Sequence, residues 1–324
     1  MFEVNNLFVY LNNNKEKNYL LQDICFNLKE GESLGIIGKS GDGKSTLAKA
    51  LLNIYDTNIF CESSSILLNG IPFQNSMRGK IISILFQNPN SYLNPLMKIG
   101  KQIEEMLTYH NKLSKKEAKK QVIDLMNKVN LPNPDNLYNY YPYEISGGMQ
   151  QKVCLCIALI CKPKILIIDE GTSYLDFKSK VEILTLIKQF QKEWKFSLIL
   201  ISHDLNEIYT MCDNIAIMRK GHLIELGKKD EIILNPIHPY TIEILSNYLQ
   251  FYDDIDSYTC PIQSLDDNVP ADITMISETH YVRITYLNKM HTKFNIPSNL
   301  KTIKEKTHEN LRTEMFKYLP SEIS

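Results

Sequence analysis

Four short runs rich in apolar residues punctuate the chain: Leu34-Gly35-Ile36-Ile37, Ile81-Ile82-Ser83-Ile84-Leu85-Phe86, Ile165-Leu166-Ile167-Ile168 and Leu198-Ile199-Leu200-Ile201. Each has the length of a strand, and Ile165–Ile168 suits a central parallel strand buried on both faces. Ile215-Ala216-Ile217-Met218-Arg219, a Lys220-Gly221 turn and His222-Leu223-Ile224-Glu225-Leu226-Gly227 predict a hairpin. Helical patterns lie between these runs. Lys44 to Leu52 holds good helix formers, and Gln150-Gln151-Lys152-Val153 opens another helix. Ser114 and Glu117 form a capping box, after which Val122, Leu125, Met126 and Val129 recur at helical spacing until Leu131-Pro132-Asn133-Pro134 ends the pattern. The lysines of Lys115-Lys116-Glu117-Ala118-Lys119-Lys120 read as the solvated face of that helix rather than as a basic binding patch.

The first strand and first helix enclose Gly38-Lys39-Ser40-Gly41-Asp42-Gly43-Lys44-Ser45. Strand, glycine-rich loop and helix form the context that a G-x-x-x-x-G-K-[ST] phosphate site requires. Glycines 38, 41 and 43 allow backbone N–H groups to turn inward around an anion, and the helix start, with Thr46 in its first turn, adds unpaired donors. Lys44 is expected to reach the β- and γ-phosphates of ATP, and the Ser45 hydroxyl to hold Mg²⁺. Asp169 ends a buried run, so its carboxylate is expected at the carboxyl edge of the sheet, where it would hold Mg²⁺ through water. Glu170 is the candidate to polarise the attacking water.

With Ile145-Ser146-Gly147-Gly148-Met149 added, the chain resembles the nucleotide-binding subunits of ABC transporters over roughly residues 1 to 250. The resemblance implies that Ser146, Gly147 and Gly148 are the signature that contacts the γ-phosphate held by an opposite subunit. It implies that Gln87 is the loop glutamine that senses Mg²⁺ and signals to membrane subunits. His203 matches the switch histidine, and Ser173-Tyr174-Leu175-Asp176 the loop where two subunits touch. Phe86-Gln87-Asn88-Pro89, Leu93-Asn94-Pro95, Met149 with Gln151, and His238-Pro239-Tyr240-Thr241 after Asn235-Pro236 look like the peptide and nickel importer branch. That branch implies a heterodimer of two ATPase subunits, two transmembrane permeases and an extracytoplasmic binding protein. It also places the chain at the cytoplasmic face of the membrane. Its substrate class is di- or oligopeptides, with nickel or a metal chelate as the alternative.

Four positions depart from the family pattern. Gly171 stands where proline is usual, and Lys152 where arginine is common, a residue whose bidentate fork lysine cannot reproduce. Leu11, rather than Tyr10, occupies the place of the adenine-stacking aromatic. Asp42 puts an acidic side chain in an anion-binding loop, tolerable only with that side chain pointing outward. Lys44, Asp169, Glu170 and His203 are all present, so an active ATPase is expected.

Composition narrows the field further. The 324 residues are 44% hydrophobic and carry a formal charge of −1, so a substantial core is expected and no basic field for nucleic acid. No apolar run approaches the roughly 20 residues that span a bilayer. Met1-Phe2-Glu3-Val4-Asn5 lacks the features of a signal peptide. Cys154, Cys156 and Cys161 show no C-x-x-C spacing and read as buried reduced thiols. Some relatives hold an iron–sulfur cluster after the His-Pro-Tyr element, but past residue 212 only Cys260 remains, so none is expected here.

The expected fold is α/β: a RecA-like P-loop core with an N-terminal β-subdomain, a helical insertion over about residues 90–155, and a small extension over 251–324. Val269-Pro270 and His280-Tyr281-Val282-Arg283 faintly resemble the extension of peptide importers. Two readings from other classes stay open: a soluble ABC ATPase acting on ribosomes or DNA, and a nucleotide-binding regulator without turnover. A single phosphate loop and the absence of sustained heptads count against the first.

Overall fold

The computed structural model describes residues 1–13, 16–55, 58–63, 65–172, 175–249 and 271–285. Ser173, Tyr174, Cys260 and Val269-Pro270 lie outside the described residues, as does most of the 251–324 extension. Thirteen strands form among the described residues. They are β1 (Phe2–Asn13), β2 (Glu16–Leu28), β3 (Ser33–Ile37), β4 (Ile59–Glu62), β5 (Ser65–Leu68), β6 (Ile71–Pro72) and β7 (Ile82–Leu85). The chain continues through β8 (Ile165–Asp169), β9 (Ser197–Ile201), β10 (Asn214–Arg219), β11 (His222–Lys228), β12 (Ala271–Met275) and β13 (Tyr281–Thr285).

One sheet runs β2-β1-β5-β6, with β4 also paired to β1, and forms the N-terminal β layer. The other runs β12-β13-β11-β10-β3-β9-β8-β7. Its pairs from β10 through β3, β9 and β8 to β7 are parallel, and the antiparallel strands gather at the β11 side. The unbroken apolar runs follow from this placement. Ile165 and Ile167 pack into the core shared with β1, β2 and the helix Lys44–Leu51, whereas Leu166 and Ile168 pack into the core under the helices. Ile199 and Ile201 divide from Leu198 and Leu200 in the same way. A strand covered on both faces has no polar side to show.

Between β7 and β8 the chain is helical, with helices at Pro89–Tyr92, Ile99–Asn111, Lys115–Lys128, Pro134–Leu137 and Gly147–Leu159. Ser114 and Glu117 make the expected reciprocal capping box. Val122, Leu125, Met126 and Val129 are buried, as their spacing requires. Cys154, Cys156 and Cys212 are buried free thiols, and Cys161 is half-buried. No described helix is long and apolar enough to cross a membrane.

The strand bounded in sequence by Ile81 and Phe86 is shorter in the fold, Ile82–Leu85. The hairpin β10–β11 forms as expected, and β12–β13 extends its edge, with Val282 opposite Glu225. Glu225 is buried there, and its carboxyl oxygens accept from Ile237 N, His238 N and His280 Nε2 at 2.9, 2.9 and 2.8 Å. One side chain thereby fixes the turn into the helix Pro239–Leu249 and the start of β13 against β11.

Candidate active site at the carboxyl edge of the parallel sheet

Four adjacent parallel strands, β3, β9, β8 and β7, deliver the candidate residues to one edge. The phosphate loop leaves β3, His203 follows β9, Asp169 and Glu170 end β8, and Gln87 follows β7. Asp169 lies opposite Ile201 in the ladder, so the two strands end in register. The carboxyl edge of an open α/β sheet is where ligands bind.

In the loop, Gly41 and Gly43 have φ of 90° and 100°, in the left-handed region that glycine adopts without strain. A Cβ built on Gly41 would meet open space, so the loop is unobstructed on that side. Lys44 is buried, and its Nζ donates to the carbonyls of Gly38 and Lys39 at 2.8 and 2.9 Å. This ammonium therefore lies folded along the loop.

Ser45 Oγ, in the first turn of the Lys44–Leu51 helix, donates to Asp169 Oδ1 at 2.9 Å. A hydroxyl and a carboxylate on adjoining elements form the hard-oxygen pair that suits Mg²⁺ beside a phosphate chain. Burial pushes the Asp169 carboxyl above its ordinary range, and the Ser45 hydrogen bond only partly opposes this. The sign of the consequence follows from linkage. A carboxyl that holds its proton more tightly when folded costs nothing below the unfolded value. The cost grows as pH rises through both values and is complete above the raised folded one. Asp169→Asn is therefore expected to stabilise the nucleotide-free chain at neutral pH by about 0.5–2 kcal/mol. Thermal unfolding at pH 7 checks this, and a lowered midpoint would show that the Ser45 bond outweighs burial.

Two hydrogen bonds hold Glu170, and His203 stands beside it. Its backbone N donates to Ile201 O at 3.0 Å, Gln87 Nε2 donates to its Oε2 at 2.8 Å, and His203 Nδ1 stands 4.0 Å from its Oε1. Its φ of 49° is uncommon for a residue with a Cβ, a local strain of the kind that gathers at functional sites. His203 is 64% exposed, open to an incoming ligand.

Sequence reading missed the group that holds these segments together. Glu207 accepts from Thr172 Oγ1 and from Ser202 Oγ, each at 2.6 Å, and pairs with Lys180 Nζ at 2.6 Å. The stretch after Glu170 and the stretch before His203 are thus fastened to one buried carboxyl. No local pattern marks Glu207. Only its place in the first turn of the helix Leu205–Met211, on the side facing Thr172, reveals it.

The departures also resolve. A Cβ on Gly171 would meet Ile168 Cγ2 at 2.9 Å, and Gly171 O accepts from Gln151 Nε2, so the small residue matches a tight buried turn. Lys152 Nζ donates to Glu182 Oε1 at 2.6 Å and to Asn130 O at 3.2 Å in place of a bidentate fork. Tyr10 is buried, stacked on Phe60 with its hydroxyl donating to Glu62 at 2.6 Å, and therefore faces away from Leu11 along the strand. Asp42 corrects the expectation of an outward side chain. It is only 7% exposed and points into the protein, accepting from Lys39 N, Lys220 N and Tyr240 Oη at 2.7, 3.0 and 2.6 Å.

Ser146, Gly147 and Gly148 are not brought to this cluster. Ser146 caps the helix Gly147–Leu159, its Oγ accepting from Met149 N at 3.4 Å. A Cβ on Gly147 would meet nothing within 4 Å, so the start of this helix presents an open backbone face.

Comparison with known proteins shows the family. The profile of the family described as "ABC transporter" matches residues 21–173. The oligopeptide transport ATP-binding protein AmiE of Streptococcus pneumoniae serotype 4 is 33% identical over 321 residues, covering 90% of each chain. The oligopeptide transport ATP-binding protein OppD of Salmonella typhimurium is 37% identical over 253 residues, covering 76% of this chain and 75% of that one. Among solved structures, the ATP-binding cassette MJ0796, in a dimeric post-hydrolysis state bound to ADP and Pi, is 26% identical. It superposes with a TM-score of 0.62 over 70% of this chain and 98% of that one. The chain therefore belongs to the ABC transporter family, as one of its ATP-hydrolysing subunits.

Proposed function

We propose that this chain powers the import of di- or oligopeptides, working as one of two ATPase subunits beneath a pair of permeases fed by an extracytoplasmic binding protein. The observation that carries the reading is the meeting of the phosphate loop, Asp169-Glu170, Gln87 and His203 along one sheet edge. It occurs in a chain that is similar over 90% of its length to an oligopeptide transport ATP-binding protein.

In this reading the backbone donors from Gly38 to Thr46 cradle the phosphates of ATP, with Lys44 released from its two carbonyls to the β- and γ-phosphates. Ser45, Asp169 and Gln87 would hold Mg²⁺, which neutralises charge between those phosphates. Glu170 accepts a proton from the attacking water, and His203 faces the γ-phosphate. Gln87 bridges this chemistry to the helical insertion, about residues 90–155, that docks on a permease. Ser146, Gly147 and Gly148, open at a helix start, serve the nucleotide of the partner ATPase in a heterodimer. The chain acts at the cytoplasmic face of the membrane, and residues 251–324 form an extension to the ATPase domain of residues 1–250.

The test is uptake by cells carrying either the wild-type chain or Glu170→Gln, offered a labelled oligopeptide and labelled nickel side by side. Loss of peptide uptake alone is expected. Loss of nickel uptake alone would move the chain to the metal branch, and loss of neither would remove the import reading.

A further inference from the structure

The departure at Asp42 and the element that follows the ATPase core meet in one place. Tyr240, from the helix Pro239–Leu249, reaches back across the sequence and donates its hydroxyl to Asp42 Oδ2 at 2.6 Å. The same oxygen accepts from Lys39 N, which also stands 3.3 Å from the Tyr240 hydroxyl. Asp42 Oδ1 accepts from Lys220 N, and Asp42 O from Gly221 N at 2.9 Å. A second contact from the same helix holds the loop from outside, with Glu243 Oε1 2.6 Å from Lys39 Nζ. The Tyr240 ring is 4% exposed and lies beside Arg219, whose guanidinium is 4.8 Å from its centroid.

An acidic side chain inside an anion-binding loop repels the anion unless its charge is turned away and satisfied elsewhere. The three donors to the Asp42 carboxyl do this, and two of them are backbone amides fixed by the loop and the β10–β11 turn. The third, the Tyr240 hydroxyl, is the one side chain among them, and it comes from outside the nucleotide-binding motifs. Its position is set in turn by Glu225, which holds the backbone of Ile237 and His238 just ahead of it. Burial, and then the bond to Asp42, push the Tyr240 hydroxyl well above the ordinary range, so it remains a donor at working pH.

We infer that Tyr240 is a positioning residue for nucleotide: it holds the Asp42 carboxyl out of the phosphate cradle, so that an acidic loop binds a triphosphate. The inference rests on the nucleotide-binding reading of the loop. It ties the His238-Pro239-Tyr240-Thr241 element to nucleotide affinity. Without the hydroxyl, the carboxyl keeps two donors and is free to swing toward the phosphates, opposing them with like charge.

The test uses the full-length chain and titrates Mg·ATP calorimetrically, with steady-state hydrolysis measured in parallel. Tyr240→Phe keeps the ring and removes only the donor. It is expected to weaken ATP binding about tenfold, the scale of a lost hydrogen bond to a charged group. The turnover number is expected to stay within about twofold, which a general loss of structure would not allow. Asp42→Ser supplies the second arm. In that background Tyr240→Phe is expected to cost less than about twofold, because no carboxyl remains to be held. Equal weakening in both backgrounds, or unchanged affinity in Tyr240→Phe, would overturn the inference. Failure of the wild-type chain to bind Mg·ATP would instead overturn the nucleotide reading itself.

Discussion

Glu170→Gln is expected to lower ATP hydrolysis by about 10²–10⁴-fold while ATP still binds, the range by which a positioned general base contributes. The substitution preserves size, so Gln87 keeps an oxygen to donate to, and the backbone bond from residue 170 to the Ile201 carbonyl is untouched. It removes the negative charge and with it the capacity to take a proton. The strained backbone at Glu170, with φ of 49°, and the fastening of the flanking segments to Glu207 mean that the carboxyl is held where it is by its surroundings. Single-turnover hydrolysis together with equilibrium ATP binding separates the two effects. Turnover within tenfold of wild type would remove Glu170 as the base and turn attention to His203, 4.0 Å away.

The largest expected loss of stability lies outside the phosphate loop, at Glu225. Its carboxyl is fully enclosed and serves two backbone amides and one imidazole. Glu225→Ala leaves the half-buried Ile237 N and His238 N and the buried His280 Nε2 without their acceptor. Each orphaned buried donor costs about 1–3 kcal/mol, so a total of about 3–5 kcal/mol is expected. Glu225→Gln keeps an acceptor oxygen and should cost less. Urea unfolding of the full chain, monitored by the tryptophan Trp194 and by circular dichroism, checks the order of the two variants. A loss under about 1 kcal/mol for Glu225→Ala would show that the turn before Pro239 and the start of β13 are held by other contacts. Because that turn carries Tyr240 to the phosphate loop, Glu225→Ala should also weaken ATP binding in the chain that remains folded.

Much of the candidate site was legible in the sequence because its pattern is local. A loop that wraps backbone donors around an anion needs glycines at fixed spacing, and Gly41 and Gly43 show the positive φ that this spacing anticipates. An acidic pair after a doubly buried strand must emerge at its end, and Asp169 and Glu170 do. The central strands were visible for the same reason: with side chains alternating into two cores, both faces must be apolar. The helix at Lys115 announced itself by its own cap. Strand limits were less sharp, as at Ile81 and Phe86, because apolar character continues past the paired residues Ile82–Leu85.

What the sequence determined by itself, then, was which residues are the candidates for phosphate chemistry and which runs fill the core. Spacing along a few residues enforces both. The tertiary structure alone decided how those pieces face one another. It set Gln87, Glu170 and His203 within reach across three strands, and fastened two of their segments to Glu207. It also turned Asp42 inward to a tyrosine 198 residues away. Such pairings depend on strand order and on which helix returns over which loop, and no local pattern encodes them. A buried carboxyl needs donors, but the fold chooses where they come from.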